Sequence, residues 1–558
     1  MTDQTRHPGE CHELVRHKIL WASVAAGTVV VLGLAGGAYL LLRTKGSPTA
    51  TARAFLSAWG RGDTAAMRGE TLTPPLDLDQ QYQTLNKGLG VTKVRATPGA
   101  ETRQGGHATV SFAADLTLPM GTWHYQGRLR LTTDHREWKV AWTPESIHPD
   151  LHSGQHLTIS YRWPRRARVV AADGSPIDGT DVSGSVQQIV GTTAPLTDKQ
   201  AKKLGTSYRK GDVVGRSGIQ QRFDKRLAGT PTASVIVADA SNHPVKQVGG
   251  FAGKAGRDVK TTLDQHVQRA AAAALQGQSK PTSLVAIRPS NGQILAVANY
   301  PGGFDRALQG TYPPGSTFKV VTAYALLRSG LSPSDTVECP KTANVGGQII
   351  HNSEGEESGS MTFTEALAQS CNTAFALQTQ KRLNPSRLSS AASLFGFNQK
   401  IDPGMHVTAG SFPSPTSTSE MAVAGFGQGR DLANALSMAE VSAGVAGGTW
   451  HPPVFVSDPQ IPQKAKAGRL DSRLRSELAT MMRAVVTTGT AKDAGLPAGT
   501  AGKTGTAEYA SGKNGKEPPT HAWFMGFHDD VAFAVIVEDG GFGSKTAAPI
   551  ARRFLNGL

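Results

Sequence analysis

The first long run of apolar positions extends from Ile19 to Leu42 and contains no charged residue. A helix of this length can span a bilayer, and the run is longer than the apolar region of a cleaved signal peptide. Basic residues lie on both sides of it and favour a cytoplasmic N-terminus only weakly. The pattern predicts a cytoplasmic tail over residues 1–18 and an uncleaved transmembrane signal anchor over residues 19–42, with the rest of the chain outside the plasma membrane.

Helical and strand-like periods follow the anchor. Phe55, Leu56 and Trp59 share one face of a helix, and apolar and polar residues then alternate through several segments between residues 110 and 142. Helices followed by a curved antiparallel sheet predict a cone-like α+β domain over residues 48–153. Because no group of catalytic residues is visible in it, a spacer role is favoured over a ligand-sensing role.

The remaining chain divides into a short mixed segment and a long one. Residues 155–255 are rich in Gly, Lys and Arg and have only short strand-like runs, which predicts a mixed pedestal-like domain. Within residues 257–558, hairpins are predicted over residues 283–298, around a Pro-Ser-Asn-Gly turn, and over residues 522–537. With a strand that carries Lys503, these hairpins predict an antiparallel sheet covered by helices. The chain is thus predicted to be a multidomain α+β protein.

The segment from Thr317 to Arg328 is apolar around its whole circumference, which predicts a helix buried on nearly all sides. Ser316 and Lys319 lie three residues apart, on one face of its N-terminal end. The helix dipole there favours developing negative charge, and burial lowers the pKa of an amine. The pair therefore predicts a nucleophile beside its base, although on these neighbours alone Ser316 would be interpreted as an N-cap.

Two further motifs downstream change this interpretation. A second Ser-x-x-Lys, at residues 207–210, stands in a charged stretch flanked by glycines and is interpreted as a solvated loop. Ser316, in contrast, is followed by Ser370-Cys371-Asn372 and then by Lys503-Thr504-Gly505-Thr506. Ser-x-x-Lys, Ser-x-Asn and Lys-Thr-Gly in this order are the motifs of the serine enzymes that penicillin acylates.

On these motifs the chain resembles a class B penicillin-binding protein, a monofunctional D,D-transpeptidase of peptidoglycan synthesis. Residues 48–153, with the string W-K-V-A-W-T-P, resemble the nuclear-transport-factor-like N-terminal domain of methicillin-resistance transpeptidases. Residues 155–255, with G-R-S-G-I-Q-Q-R-F-D-K-R-L-A-G, resemble the pedestal or dimerisation domain, in which a glutamate often stands in place of Gln220. Residues 257–558 resemble the penicillin-binding transpeptidase domain, whose fold is that of the β-lactamase superfamily.

The resemblance implies a catalytic role for five residues. Ser316 would attack the carbonyl between the last two D-alanines of a stem peptide, and Lys319 would take its proton. Ser370 would relay a proton to the leaving amine, and Asn372 would position Lys319 and the substrate amide. Lys503 would keep Lys319 neutral and attract a carboxylate.

The resemblance also implies a substrate-binding strand, Thr504-Gly505-Thr506. The two threonine hydroxyls would bind the terminal carboxylate, and the backbone N–H groups of Ser316 and Thr506 would form the oxyanion hole. Gly427-Gln428-Gly429 resembles another family signature, which is normally followed by Thr-Pro-Leu. Because this chain has Asn-Ala-Leu at residues 434–436, the role of that loop is left open.

The implied ligands follow from the same resemblance. They are peptidoglycan stem peptides and the lipid-linked precursor as substrates, and β-lactams as covalent inhibitors. Residues 48–155 are too short and too β-rich for a glycosyltransferase, so a separate membrane glycan polymerase is the implied partner. The layout shared with methicillin-resistance enzymes makes slow acylation by β-lactams a hypothesis.

Charge and cysteine content add limits. The chain has 58 Lys and Arg against 43 Asp and Glu, which outside a cell suits an anionic wall or lipid surface better than nucleic acid. A solvated basic surface explains this balance equally well. The cysteine spacing is not that of a metal site, and neither metal nor cofactor is predicted. A disulfide between Cys339 and Cys371 is possible outside the cell, but two unpaired, half-buried thiols are the preferred interpretation.

Two other functions compete with transpeptidation. A D,D-carboxypeptidase or β-lactamase would hydrolyse its acyl-enzyme, but the chain lacks the Glu-x-x-Leu-Asn string of class A β-lactamases after Asn372. A non-catalytic β-lactam sensor or scaffold would be expected to have several membrane spans or to have lost catalytic residues. Neither feature is visible in the sequence.

Overall fold

The structure, a computed structural model, describes residues 44–558 except residue 206 and residues 353–357 and 511–517. The predicted tail and signal anchor, residues 1–18 and 19–42, lie outside the described residues. No helix in the described part of the chain is both long and apolar enough to cross a membrane.

Helices and strands are distributed along the whole described chain. The helices are α1 Pro48–Arg61, α2 Thr64–Gly69, α3 Leu78–Leu89, α4 Gly184–Val190, α5 Asp198–Leu204, α6 Gly218–Arg222, α7 Asp224–Ala228, α8 Gln265–Leu275, α9 Arg306–Gln309, α10 Lys319–Arg328, α11 Phe363–Ala368, α12 Asn372–Arg382, α13 Pro385–Leu394, α14 Thr418–Ala424, α15 Ala435–Gly447, α16 Ser472–Thr487 and α17 Ala547–Asn556. The strands are β1 Lys93–Gln104, β2 His107–Leu118, β3 Gly121–Asp134, β4 Glu137–Val140, β5 His156–Arg162, β6 Val169–Val170, β7 Thr193–Pro195, β8 Val213–Gly215, β9 Thr232–Ala238, β10 Pro244–Phe251, β11 Val259–Thr261, β12 Thr282–Arg288, β13 Gln293–Tyr300, β14 Thr336–Cys339, β15 Thr342–Val345, β16 Gln348–His351, β17 Gly359–Thr362, β18 Thr449–Trp450, β19 Val456–Asp458, β20 Gly468–Arg469, β21 Ala501–Glu508, β22 Thr520–His528 and β23 Val531–Val537.

The chain forms two compact units. The first contains the residues up to Trp163 together with Pro231–Lys254, and the second contains Pro164–Thr230 and Ala255–Leu558. The first unit has an antiparallel four-stranded sheet in the order β1-β2-β3-β4, and a second sheet in the order β10-β9-β5. The alternation predicted between residues 110 and 142 corresponds to β2, β3 and β4.

Aromatic side chains fill the core of the first unit. Phe112 lies edge-on to Trp59 and to Tyr125, with ring centroids 6.3 Å apart in each pair. Trp59 also lies edge-on to Tyr82 at 5.6 Å. Such pairs stabilise a core beyond the area they bury, so the helices and the sheet of this unit are joined through one aromatic cluster.

The second unit contains an antiparallel sheet in the order β13-β12-β23-β22-β21. α8, α15, α16 and α17 pack against this sheet, and α8 and α17 also contact each other. The two predicted hairpins are β12–β13 and β22–β23. β21, which carries Lys503, is one of the two edge strands, and the turn that contains Ser316 packs against it. The predicted antiparallel sheet covered by helices is therefore present.

We expect Phe112→Ala to lower the free energy of unfolding of the first unit by about 3–5 kcal/mol, because it empties the centre of the aromatic cluster. Thermal unfolding followed by near-UV circular dichroism measures the change. Gln126→Ala, on the exposed face of the same sheet, is the matched control. Equal unfolding midpoints for the two variants would contradict the importance of the cluster.

Candidate active site

Ser316 lies in a tight turn before the buried helix. Residues Gly315–Phe318 form a 3-10 helix, and α10 begins at Lys319, so the α-helix starts two residues later than predicted. In a 3-10 helix, side chains at i and i+3 eclipse one another, which brings Ser316 and Lys319 together. Gly315 has φ +54°, and a Cβ there would lie 2.9 Å from Thr506 O. A glycine is therefore required before the serine.

Lys319 is fully buried at 0% exposure and makes four polar contacts. Its Nζ lies 3.1 Å from Ser316 Oγ and donates to Ser370 O at 2.6 Å and to Asn372 Oδ1 at 2.6 Å. Ser370 Oγ is 3.3 Å away. The structure thus brings four predicted residues, from two separate segments of the chain, together at one amine.

Burial lowers the pKa of Lys319 well below its ordinary value, and the positive charge of Lys503 lowers this pKa further. A neutral amine has two N–H groups and one lone pair. The Ser370 carbonyl and the Asn372 side-chain oxygen can only accept, and they occupy the two N–H groups. The lone pair is then available to the Ser316 hydroxyl, as general-base catalysis requires.

Ser370 and Asn372 are held by the start of α12. Ser370 has φ +63°, a left-handed backbone that is unfavourable for a residue other than glycine. Cys371 caps α12 through a contact from Ala374 N to its Sγ, and Asn372 is the first residue of the helix. This geometry presents the Ser370 carbonyl and the Asn372 amide to Lys319 from adjacent positions.

The preferred interpretation of two unpaired thiols is wrong. Cys339 and Cys371 form a disulfide with a Cα–Cα distance of 6.2 Å. Antiparallel pairing of β14 with β17 and the packing of α12 on β14 bring together two cysteines that are 32 residues apart in sequence. The middle residue of the Ser-x-Asn motif is therefore covalently linked to β14.

β21 brings the Lys-Thr-Gly-Thr motif to the same cleft. Thr504 and Thr506 line a cavity of about 130 Å³ together with Ser316, and Gly505 is paired with Trp523 of β22. Lys503 is fully buried, and its Nζ donates to Thr504 O at 3.0 Å. Lys503 thus acts on Lys319 through its charge and makes no direct hydrogen bond to it within the described residues.

Other residues of the cleft were missed by sequence reasoning. The Thr490 hydroxyl lies 2.7 Å from that of Thr504, and Ser544 and Lys545 line the same cavity. None of the three stands in a recognisable motif. The second Ser-x-x-Lys, at residues 207–210, lies in the turn region after α5, where Tyr208 packs against Leu196, Ala201 and Val214.

The loop at Gly427-Gln428-Gly429 connects the serine turn to the end of β21. Gly315 N donates to Gly427 O at 2.8 Å, and a Cβ at Gly427 would lie 2.2 Å from Gly315 O. With its side-chain amide assigned the orientation that matches the backbone of β21, Gln428 donates to Glu508 O at 3.1 Å and accepts from Glu508 N at 3.0 Å. Since backbone groups two residues apart in a strand point to the same edge, Thr506 N–H also faces the free edge of β21, toward the cleft.

Comparison with protein families matches three ranges of the chain. Residues 282–556 match the penicillin binding protein transpeptidase domain, residues 47–155 match the NTF2-like N-terminal transpeptidase domain, and residues 181–261 match the penicillin-binding protein dimerisation domain. The chain is 30% identical over 354 residues to the peptidoglycan D,D-transpeptidase PbpA of Mycolicibacterium smegmatis. This alignment covers 53% of this chain and 71% of that protein.

The chain belongs to the class B penicillin-binding proteins.

Other members of the family resemble this penicillin-binding protein over longer ranges. It is 25% identical over 423 residues to the peptidoglycan D,D-transpeptidase MrdA of Acinetobacter baumannii, covering 64% of this chain and 62% of that one. The crystal structure of Pseudomonas aeruginosa PBP2 in complex with WCK 5153 has a TM-score of 0.59 at 25% identity, covering 72% of this chain and 96% of that one. The predicted family and the multidomain α+β fold are confirmed.

The charge of Lys503 is expected to limit activity at alkaline pH. Burial lowers the pKa of Lys503 to about 7, so its positive charge is lost as the pH rises through neutrality. We expect the second-order rate of acylation by penicillin to fall above about pH 7. In Lys503→Arg the fall should move to higher pH, because a guanidinium stays charged, although the maximal rate should be lower. A pH–rate profile tests this. Lys400→Arg, on the surface, is the control, and an identical alkaline limb in Lys503→Arg and the parent would contradict the assignment.

Removing the disulfide is expected to loosen the Ser-x-Asn segment. The double substitution Cys339→Ala with Cys371→Ala should lower the free energy of unfolding by about 2–4 kcal/mol. It should also slow acylation several-fold, because Ser370 would no longer be held in its left-handed conformation. Thermal unfolding and stopped-flow acylation measure the two effects. Cys11→Ser, which removes the third cysteine, is the control; unchanged acylation in the double variant would show that α12 alone positions Ser370.

Proposed function

We propose that this chain is a peptidoglycan D,D-transpeptidase that cross-links stem peptides through an acyl-enzyme on Ser316 and is acylated by β-lactams at the same atom. The observation that carries the proposal is the position of Lys319. Its Nζ lies 3.1 Å from Ser316 Oγ, while Ser370 and Asn372 accept its two N–H groups at 2.6 Å each. The names of the relatives, D,D-transpeptidases, support the same reaction.

In the acylation step, Ser316 Oγ attacks the carbonyl carbon of the penultimate D-alanine while its proton moves to Lys319 Nζ. The developing oxyanion is stabilised by the backbone N–H groups of Ser316 and Thr506, of which each donor is worth about 3–4 kcal/mol. The bond to the terminal D-alanine nitrogen then breaks. The leaving amine receives its proton from Lys319 through Ser370 Oγ, which lies 3.3 Å from Nζ.

Thr504, Gly505 and Thr506 form the substrate-binding strand in this proposal. The hydroxyls of Thr504 and Thr506 bind the carboxylate of the terminal D-alanine, and Lys503 supplies a nearby positive charge. A β-lactam carries a carboxylate and a strained amide in a similar arrangement, so the same groups receive it. Its ring nitrogen stays attached after the amide bond opens, and the acyl-enzyme therefore persists.

The proposal also includes the organisation of the chain. It comprises a cytoplasmic tail (1–18), a transmembrane signal anchor (19–42), an N-terminal domain (48–153), a pedestal domain (155–255) and a catalytic domain (257–558). The enzyme would be a single-pass protein of the plasma membrane with its catalytic domain outside the cytoplasm. Because the chain matches a transpeptidase domain and two accessory domains, we propose that a separate membrane polymerase supplies its glycan strands.

The experiment that tests this function is labelling of the full chain in detergent with fluorescent penicillin, beside Ser316→Ala. We expect a covalent label on the parent that persists for hours and none on the variant. With a thioester donor and a D-amino acid acceptor, we expect the acyl group to be transferred to the amine. Rapid loss of the label would indicate a β-lactamase, hydrolysis without transfer would indicate a carboxypeptidase, and absence of both label and turnover would indicate a scaffold.

A further inference from the structure

Two cavities share Ser316, and the charged side chains among their described lining residues differ in sign. The first, of about 130 Å³, is lined by Ser316, Thr504 and Thr506, and the charged side chain among its described lining residues is Lys545. The second, of about 460 Å³, is also lined by Ser316 and Thr506, but its acidic residue is Glu508. A transpeptidase binds a donor that ends in a carboxylate and an acceptor that carries an amine. The two ends of the cleft match these two charges.

The position of Glu508 follows from the geometry of β21. Side chains alternate between the faces of a strand, so Thr504, Thr506 and Glu508 share the face that lines the cleft. Residues two apart in a strand are separated by about 7 Å along its axis. Glu508 therefore lies about 7 Å beyond Thr506, on the side opposite to Thr504.

The backbone of Glu508 is held in place, and its side chain is exposed. Gln428 hydrogen-bonds both the N–H and the carbonyl of Glu508, so the side chain projects from a defined point of the strand. Two carboxylates of an adjoining cavity are already engaged. Glu538 accepts from Arg306 Nε at 3.0 Å and from the Tyr312 hydroxyl at 2.5 Å, and Asp539 accepts from the Tyr509 hydroxyl.

No cation in the described part of the chain forms an ion pair with Glu508. Glu508 is exposed to solvent at the mouth of the second cavity. A carboxylate in this position, fixed through its backbone, can attract a cationic group that enters the cleft from the side opposite to the Thr504 hydroxyl.

We propose that Glu508 is a specificity-determining residue that recognises the acyl acceptor in its ammonium form. This inference rests on the proposed transpeptidase function. Donor and acceptor would enter from opposite ends of β21. The donor carboxylate would bind beside Thr504, and the acceptor ammonium would approach past Glu508 toward the acyl group on Ser316.

Each transfer forms one C–N bond and breaks one C–O bond. The bound ammonium loses one proton to water and becomes a neutral amine. Its nitrogen forms a bond to the acyl carbon, and the bond between that carbon and Ser316 Oγ breaks. The second proton leaves the nitrogen and returns to the serine oxygen through Lys319, which restores the free enzyme.

The test compares cationic and neutral acceptors on the full chain in detergent. The donor is a benzoyl-D-alanyl thioester, and the acceptors are D-alaninamide, which carries one positive charge, and hydroxylamine, which is neutral near pH 7. In Glu508→Gln we expect the KM for D-alaninamide to rise about three- to five-fold with little change in kcat, as for the loss of one solvent-exposed charge interaction. Glu508→Lys should raise it further, and added salt should reduce the difference.

Controls separate recognition from a structural effect. Asp529→Asn removes an exposed carboxylate at the other end of the same sheet, next to the paired residues Phe527 and Ala501, and should leave both acceptors unchanged. An unchanged KM for D-alaninamide in Glu508→Gln would overturn the proposal, as would equal losses with hydroxylamine or an equal loss in Asp529→Asn. Failure of the parent both to form an acyl-enzyme with penicillin and to turn over the thioester would overturn the transpeptidase function and this inference with it, whereas normal turnover with an unchanged KM in Glu508→Gln would overturn only the role of Glu508.

Discussion

The active site depends on holding one amine without charge in the interior of the protein. An unpaired ammonium is strongly disfavoured in such surroundings, and the nearby charge of Lys503 disfavours it further. A neutral Lys319 is satisfied by two acceptors and retains a lone pair for Ser316. The 3-10 turn places Ser316 beside Lys319. The segment at the start of α12 supplies both hydrogen-bond acceptors, Ser370 O and Asn372 Oδ1. β21 supplies the second buried lysine, Lys503. The contact between Ser316 and Lys319 is thus a consequence of how the domain folds.

Much of this site could be predicted from the chain because its residues are local in sequence. Ser316 and Lys319 are three residues apart, and the Ser-x-Asn and Lys-Thr-Gly motifs are each contiguous. Helical and strand periods also gave the two hairpins of the central sheet, since one buried face or a fully apolar run leaves a clear pattern. The prediction that the three motifs meet in one site rested on family resemblance, because periodicity carries no information about which distant segments are in contact.

Most of the features that sequence reasoning missed are set by such long-range contacts. The disulfide depends on β14 and α12 lying side by side, which cysteine spacing does not reveal. The left-handed backbone at Ser370 is unusual for a serine and has no signal in its neighbours. Gln428 stands in a recognisable glycine-flanked string, yet its role is visible only once the loop is seen to bind the end of β21. The 3-10 turn was likewise predicted as α-helix, because the two differ by less than one residue per turn.

The edge position of β21 has a consequence for how such an enzyme can change over time. In the proposed reaction, the groups that would contact donor, acyl centre and acceptor follow one another along β21 at intervals of two residues. Inserting or deleting one residue would turn every later side chain to the wrong face, so the length of this segment is constrained. Exchange of a side chain at one end leaves the other end in place. Recognition of the leaving group and selection of the acceptor amine can therefore change independently of each other along the same strand.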